Sequence, residues 1–104
     1  MDAALRAIAE PHRREIIRLV WTAELPAGEI ADRIGEISRP AVSQHLKVLR
    51  DAGLLSERRD GTRRLYRARR DRIQQLRIYL DGFWSDRLGA LKGAAEREAK
   101  RKRS

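Results

Sequence analysis

The chain contains no cysteine, which excludes disulfides, thiolate metal sites and thiol redox sensing together. Long apolar runs are missing too. Nothing approaches the roughly 18 residues needed to span a bilayer, and MDAALRAIAE lacks the basic-then-apolar layout of an export signal. A cytoplasmic protein with no membrane partner is expected. Histidine occurs only at His12 and His45. Neither has a second or third ligand at i+3 or i+4, so spacing along the chain offers no metal site and no cofactor. There is no P-loop, no glycine-rich phosphate cradle, no Ser/His/Asp constellation and no H-E-x-x-H motif. Asp32, Glu36, Asp51 and Glu57 read as helix-end and surface charges. No group has an identifiable activating neighbour, so enzyme activity is not expected.

What the chain does have is positive charge. Lys and Arg number 24 against 15 Asp and Glu, a formal net charge of +9 over 104 residues. That balance favours nucleic acid or an anionic surface as partner. The length suits one domain, expected over residues 1–98, with a basic disordered tail at 99–104. A chain of this size buries only about two-thirds of its unfolded surface, so one modest core is expected, supplemented by oligomerisation.

Hydrophobic spacing supplies the elements. Ala3 to Ala9 reads as a short helix. Pro11 suits the first turn of a second, in which Ile16, Ile17, Val20 and Trp21 face one way and Arg13, Arg14 and Arg18 the other. Glu24-Leu25-Pro26 breaks it. AGEIADRIG is a third, short helix with Ile30, Ala31 and Ile34 inward and Gly35 as its stop. Ser38 is the N-cap candidate of a fourth, which runs to Ala52 before Gly53. Asp60-Gly61 between two short runs signals a β-hairpin. Asp71 then reads as the N-cap of a long helix with Ile73, Leu76, Leu80, Phe83, Trp84, Leu88 and Leu91 along one side, weakened by Gly82, Gly89 and Gly93. The fold class is mainly α with a small β-hairpin: a winged helix-turn-helix of order α-α-α-α-β-β-α.

At 100° per residue the fourth helix places Val42, Leu46 and Leu49 in one narrow stripe. Its opposite face carries Ser43, Gln44, Lys47 and Arg50, with Arg39 and Pro40 leading in and the cap residue Ser38 joined to the same set. An α-helix fits the DNA major groove with its N-terminal residues nearest the base edges. Arg39 can donate bidentately to guanine, Gln44 can pair with adenine, and Ser43 can serve base or phosphate. Lys47 suits phosphate. Seven arginines lie between residues 58 and 70. Of these, Arg58, Arg59, Arg63 and Arg64 form the candidate wing, with Arg59 and Arg63 flanking the turn and able to straddle a minor groove. His45 lies on the core side of the fourth helix and reads as a core-rim histidine bonded to a neighbouring turn. His12 reads as a surface residue.

A helix of about 20 residues is near 30 Å long, more than so small a core can cover. The last stripe therefore favours a homodimer over closure on its own domain. A two-fold dimer would set two reading helices one DNA turn apart, roughly 34–36 Å, and predicts a palindromic operator.

IAEPHRREIIRLV, ELPAGEIADRIG, SRPAVSQHLKVLRDAGLL and RRDGTRRLYR together resemble the ArsR family of bacterial winged-helix repressors. The most specific part is V-S-x-H-L-x-x-L-x-x-A-G-L, here Val42 to Leu54. The resemblance implies a homodimer held by its first and last helices, which adds Leu5 and Ile8 to the interface set. It also implies a palindromic double-stranded DNA operator, usually repressed, with Arg39, Ser43, Gln44 and Lys47 reading and the Arg59–Arg64 turn as wing. The sequence departs from the arsenic-type E-L-C-x-C-[DE]-L-A motif, having Pro26 and Gly28 in place of the thiolates. From Asp71 to Glu98 it has no histidine, where zinc-type members place ligands. It is therefore similar to the metal-independent branch, whose members can answer to a small-molecule or protein effector. A nonspecific nucleoid-type DNA binder and a protein- or RNA-interaction module stay open as alternatives.

Overall fold

In a computed structural model, residues 1–83 are described. Helices α1 (Asp2–Ile8), α2 (Pro11–Leu19), α3 (Ala27–Ile34) and α4 (Arg39–Asp51) are joined by strands β1 (Leu25–Pro26), β2 (Leu55–Asp60) and β3 (Arg63–Ala68). A fifth helix, α5, occupies residues 70–83 of the described chain. This is a winged helix-turn-helix. No helix among the described residues is long and apolar enough to cross a membrane.

The helix starts follow from the capping chemistry of the sequence. The Glu10 carboxylate accepts from the Arg13 amide ahead of Pro11. The Ser38 hydroxyl accepts from the Ala41 amide at 3.2 Å ahead of Pro40. Each side chain satisfies a first-turn N–H that has no carbonyl partner inside the helix. Gly35 closes α3. Beyond α4, Gly53 turns the chain at φ +80°, a conformation that costs a side-chain-bearing residue about 1–2 kcal/mol. The first residue of α5 follows Arg69, whose carbonyl accepts from the Arg72 and Ile73 amides. Asp71 therefore sits inside the first turn, beyond the cap position expected of it.

Strand β3 is central: the sheet runs β1-β3-β2, antiparallel throughout. The hairpin pairs Asp60 with Arg63 and Leu55 with Ala68. Its two-residue turn is thus Gly61-Thr62, one position beyond the Asp-Gly expectation, and Gly61 adopts φ +63°. Strand β1 was not anticipated. Leu25 pairs with Tyr66 and Pro26 with Leu65, so the segment read as a helix breaker also adds an edge to the wing. Two residues containing proline carry no alternation by which periodicity could reveal a strand.

The core gathers one face of every helix. Ile16, Val20, Ile30, Val42, Leu46, Leu49 and Leu54 are essentially inaccessible, with Ala4, Ala7, Leu25, Leu55, Tyr66, Ala68 and Leu76 around them. Ile17, Trp21 and Ile34 pack at its margin. Each large aliphatic side chain fully removed from water contributes about 1.5–3 kcal/mol, enough for α4 to be held rigidly by Val42, Leu46 and Leu49. That fixes the opposite face of the same helix in space.

Candidate nucleic-acid interface

Ser43, Gln44 and Lys47 are exposed on α4, turned away from the buried Val42–Leu46–Leu49 stripe. Ser38 and Arg39 are exposed at its start. The Ser38 oxygen is engaged as the cap. Arg39 is not free either: its Nη2 lies 2.7 Å from Asp32 Oδ1 on α3, an ion pair in which both side chains are about two-thirds exposed. Asp32, read from sequence as a helix-end or surface charge, is thus a direct neighbour of Arg39.

At the other end of α4, Arg50 Nη1 donates to Glu57 Oε2 on β2 at 2.7 Å, and Nη2 pairs with Asp51 at 3.1 Å. Arg64 reaches the other Glu57 oxygen at 3.5 Å. The Arg50 hydrogen bond holds the Glu57 carboxyl below its usual 4.5, against the opposing effect of burial. Glu57 therefore joins the reading helix to the wing. Between them opens a groove of about 400 Å³ lined by Ser43, Lys47, Arg50, Arg64 and Tyr66.

On the wing, Arg59 faces Arg64 directly across the hairpin, and Arg63 pairs with Asp60 at 3.4 Å. Like charges opposite one another destabilise a hairpin unless an anion lies alongside. Arg59 has no ion-pair partner among the described residues. Arg58, part of the expected wing, also pairs within the fold while its side chain stays 59% exposed: its Nη2 and Nε lie 2.6 and 3.2 Å from the Glu24 carboxylate. That hydrogen bond, ahead of any other cause, draws the Glu24 pKa down. Arg70 is also a tie: its Nε donates to the Trp21 carbonyl at 2.8 Å and its guanidinium lies over the indole.

His45 lies on the core side of α4, as its phase predicts. Its partners are side chains of the α2 start where a turn was expected. Nδ1 accepts from Arg13 Nε at 3.2 Å, and the ring stacks on His12 with centroids 5.8 Å apart. Burial, ahead of the neighbouring charges, lowers the His45 pKa and favours the neutral ring. His12 is half-buried, with Nδ1 2.7 Å from Glu10 Oε1. Helical spacing could not reveal this cluster, because 33 positions separate the two histidines.

The apolar side of α5 is divided. Leu76 is only 3% exposed and belongs to the core of its own chain, so it is not available to the interface in which it was expected. Leu5, Ile8, Ile73 and Leu80 are partly covered, while Tyr79 and Phe83 are about half exposed beside them. Ile8, Ile73, Leu76 and Leu80 line a shallow apolar groove. Trp84, Leu88 and Leu91, and the tail at 99–104, lie outside the described residues.

A short helix, a tight turn and a capped second helix against an arginine-edged hairpin define the class: a winged helix-turn-helix DNA-binding regulator. A helix-turn-helix domain family model matches residues 8–58, and the HTH-type transcriptional regulator Rv2034 of Mycobacterium tuberculosis is 44% identical over 84 residues, covering 81% of this chain and 78% of that protein. The chain belongs to the ArsR/SmtB family of helix-turn-helix transcriptional regulators, which are not enzymes. The transcriptional repressor SdpR of Bacillus subtilis is 38% identical over 61 residues, 59% of this chain and 67% of that one. Among solved structures, a possible transcriptional regulator for arsenical resistance superposes with a TM-score of 0.72 at 40% identity, covering 86% of this chain and 95% of the other.

Proposed function

We propose that this regulator is a cytoplasmic homodimeric repressor that occupies a palindromic operator and excludes polymerase sterically. The observation that carries the reading is the exposed face of α4 with Ser43, Gln44 and Lys47, of which Ser43 and Lys47 line one open groove together with Arg64 of β3. Rigid packing behind α4 presents short polar side chains for base edges, and the hairpin arginines lie alongside for phosphates. Arg39, Arg59 and Arg63 extend that surface, and Arg58 supports it through Glu24. DNA binding by this surface needs no metal at either position where the thiolates or last-helix histidines of metal-sensing members stand, because the chain lacks those ligands. At those two positions a small molecule or a protein is the class of effector proposed. Repression by relatives such as SdpR supports the direction of control.

Footprinting on the promoter of its own gene tests the proposal. A protected inverted repeat with half-sites centred one helical turn apart is expected. Protection of a single half-site, or a preference over random DNA of less than about 10³-fold, would replace the dimeric repressor by a nonspecific binder.

A further inference from the structure

The only two histidines of the chain meet in space, and a carboxylate lies between them. Glu10 and His12 come from the start of α2; His45 comes from the buried side of α4. Glu10 Oε1 is 2.7 Å from His12 Nδ1, and Glu10 Oε2 is 3.8 Å from His45 Nε2. One ligand atom from each residue lies within 4.8 Å of the others. Ligand atoms around a tetrahedral ion with bonds of 2.0–2.1 Å stand about 3.3 Å apart, so adjustment of side-chain torsions closes the set. The three side chains are 30%, 36% and 17% exposed, which leaves an approach from solvent and room for water to complete the coordination.

We propose that Glu10, His12 and His45 bind a borderline divalent cation, zinc, nickel or cobalt(II), joining the start of α2 to the reading helix. Two imidazoles and a carboxylate suit these ions better than calcium or magnesium, which prefer all-oxygen sets. Burial keeps the His45 ring neutral, the form that ligates. On Glu10, burial acts to raise the pKa, but the hydrogen bonds from His12 and the Arg13 amide outweigh it and hold the carboxyl below its ordinary value.

Arg13 sets the affinity of the site by opposing it. Its Nε–H donates to His45 Nδ1, so the neutral ring carries its proton on Nε2, the atom that faces Glu10. Ligation at Nε2 requires that proton to move to Nδ1, where it faces the Arg13 donor and breaks the bond. Arg13 can then turn away while its Nη1 keeps the carbonyls of Arg6 and Ala7 at the end of α1. The cation therefore displaces an arginine from the reading helix, and the site is weaker than a four-ligand structural zinc centre.

Zinc binding to the full, chelator-stripped chain, measured by competition against a chromophoric chelator, tests this. One ion per chain is expected. His12→Ala, at a half-exposed position outside the core, should lower affinity at least about tenfold, as should Glu10→Gln, which keeps an oxygen to cap α2. Arg13→Gln should raise affinity, an effect that a merely structural arginine would not produce. Cobalt(II) should give the visible absorption of a four-coordinate nitrogen–oxygen site and shift the resonances of both imidazoles. The proposal is overturned by affinity indifferent to His12→Ala, by unchanged or weaker binding in Arg13→Gln, or by cobalt spectra free of imidazole shifts. None of these readouts involves DNA, so they stand apart from the operator test.

Discussion

Arg39 must choose between partners. In the free chain its guanidinium is held by Asp32 at 2.7 Å, and a guanine edge would have to replace that carboxylate. An exposed pair of this kind contributes about 0–1 kcal/mol, so Asp32→Asn should raise operator affinity by no more than about fivefold, as read by fluorescence anisotropy at fixed salt. A fall in affinity would instead make Asp32 the residue that aims Arg39. Arg39→Ala should cost about 1–3 kcal/mol and relax selection at one base pair, whereas Lys47→Ala should weaken all sequences alike and reduce the salt slope by about one. The competition at Arg39 was invisible along the chain. The capped start and the amphipathic phase of α4 are local properties, and they marked Ser38, Arg39, Ser43, Gln44 and Lys47 as one face. Which acid meets which arginine depends on how α3 crosses α4 and where β1 lies against the hairpin, and neither is written in local spacing. Asp32 and Glu57 therefore looked alike from sequence, although they hold different arginines.

At the scale of the element, the reading helix and wing move as one body because Glu57 bonds both. Its carboxylate takes Arg50 from α4 and Arg64 from β3. Its pKa in the fold lies below the ordinary 4.5, so the folded state binds fewer protons than the unfolded chain in acid. The stabilisation is complete above the ordinary value and disappears as pH falls through the depressed folded value. Glu57→Gln should accordingly cost on the order of 1 kcal/mol at pH 7, with the difference from the parent vanishing in acid. Urea unfolding at both pH values checks this, and an equal penalty at each would mean that the amide fails for reasons of packing. Strand β1 belongs to the same scale. Leu25-Pro26 pairs with β3 through tertiary placement alone, and Glu24 just before it reaches across to Arg58. The wing is thus braced through Arg58 and Arg64, whereas Arg59 near its tip has no ion-pair partner among the described residues.

For the whole molecule, what the core of one chain can cover limits what a partner can bury. Leu76 is already used within its own chain, and Leu5, Ile8, Ile73 and Leu80 are partly so. Tyr79 and Phe83 remain about half exposed on the flank of the same stripe. The 3.6-residue spacing of α5 located the apolar side but could not divide it between core and partner, because that division depends on where α1 and α2 end against it. If a second chain covers this flank, charge placed there should separate the protomers without unfolding them. Tyr79→Glu with Phe83→Glu is expected to convert a dimer to a monomer in sedimentation equilibrium, with the circular dichroism of the helices retained. The same variant should lose most operator affinity, since one reading helix then binds without its mate. Its salt dependence should fall to about half the parental slope, because the number of phosphates neutralised per binding event is halved. A double variant that stays dimeric would move the interface away from α5. A monomer with undiminished affinity and slope would show that each chain reads its DNA alone.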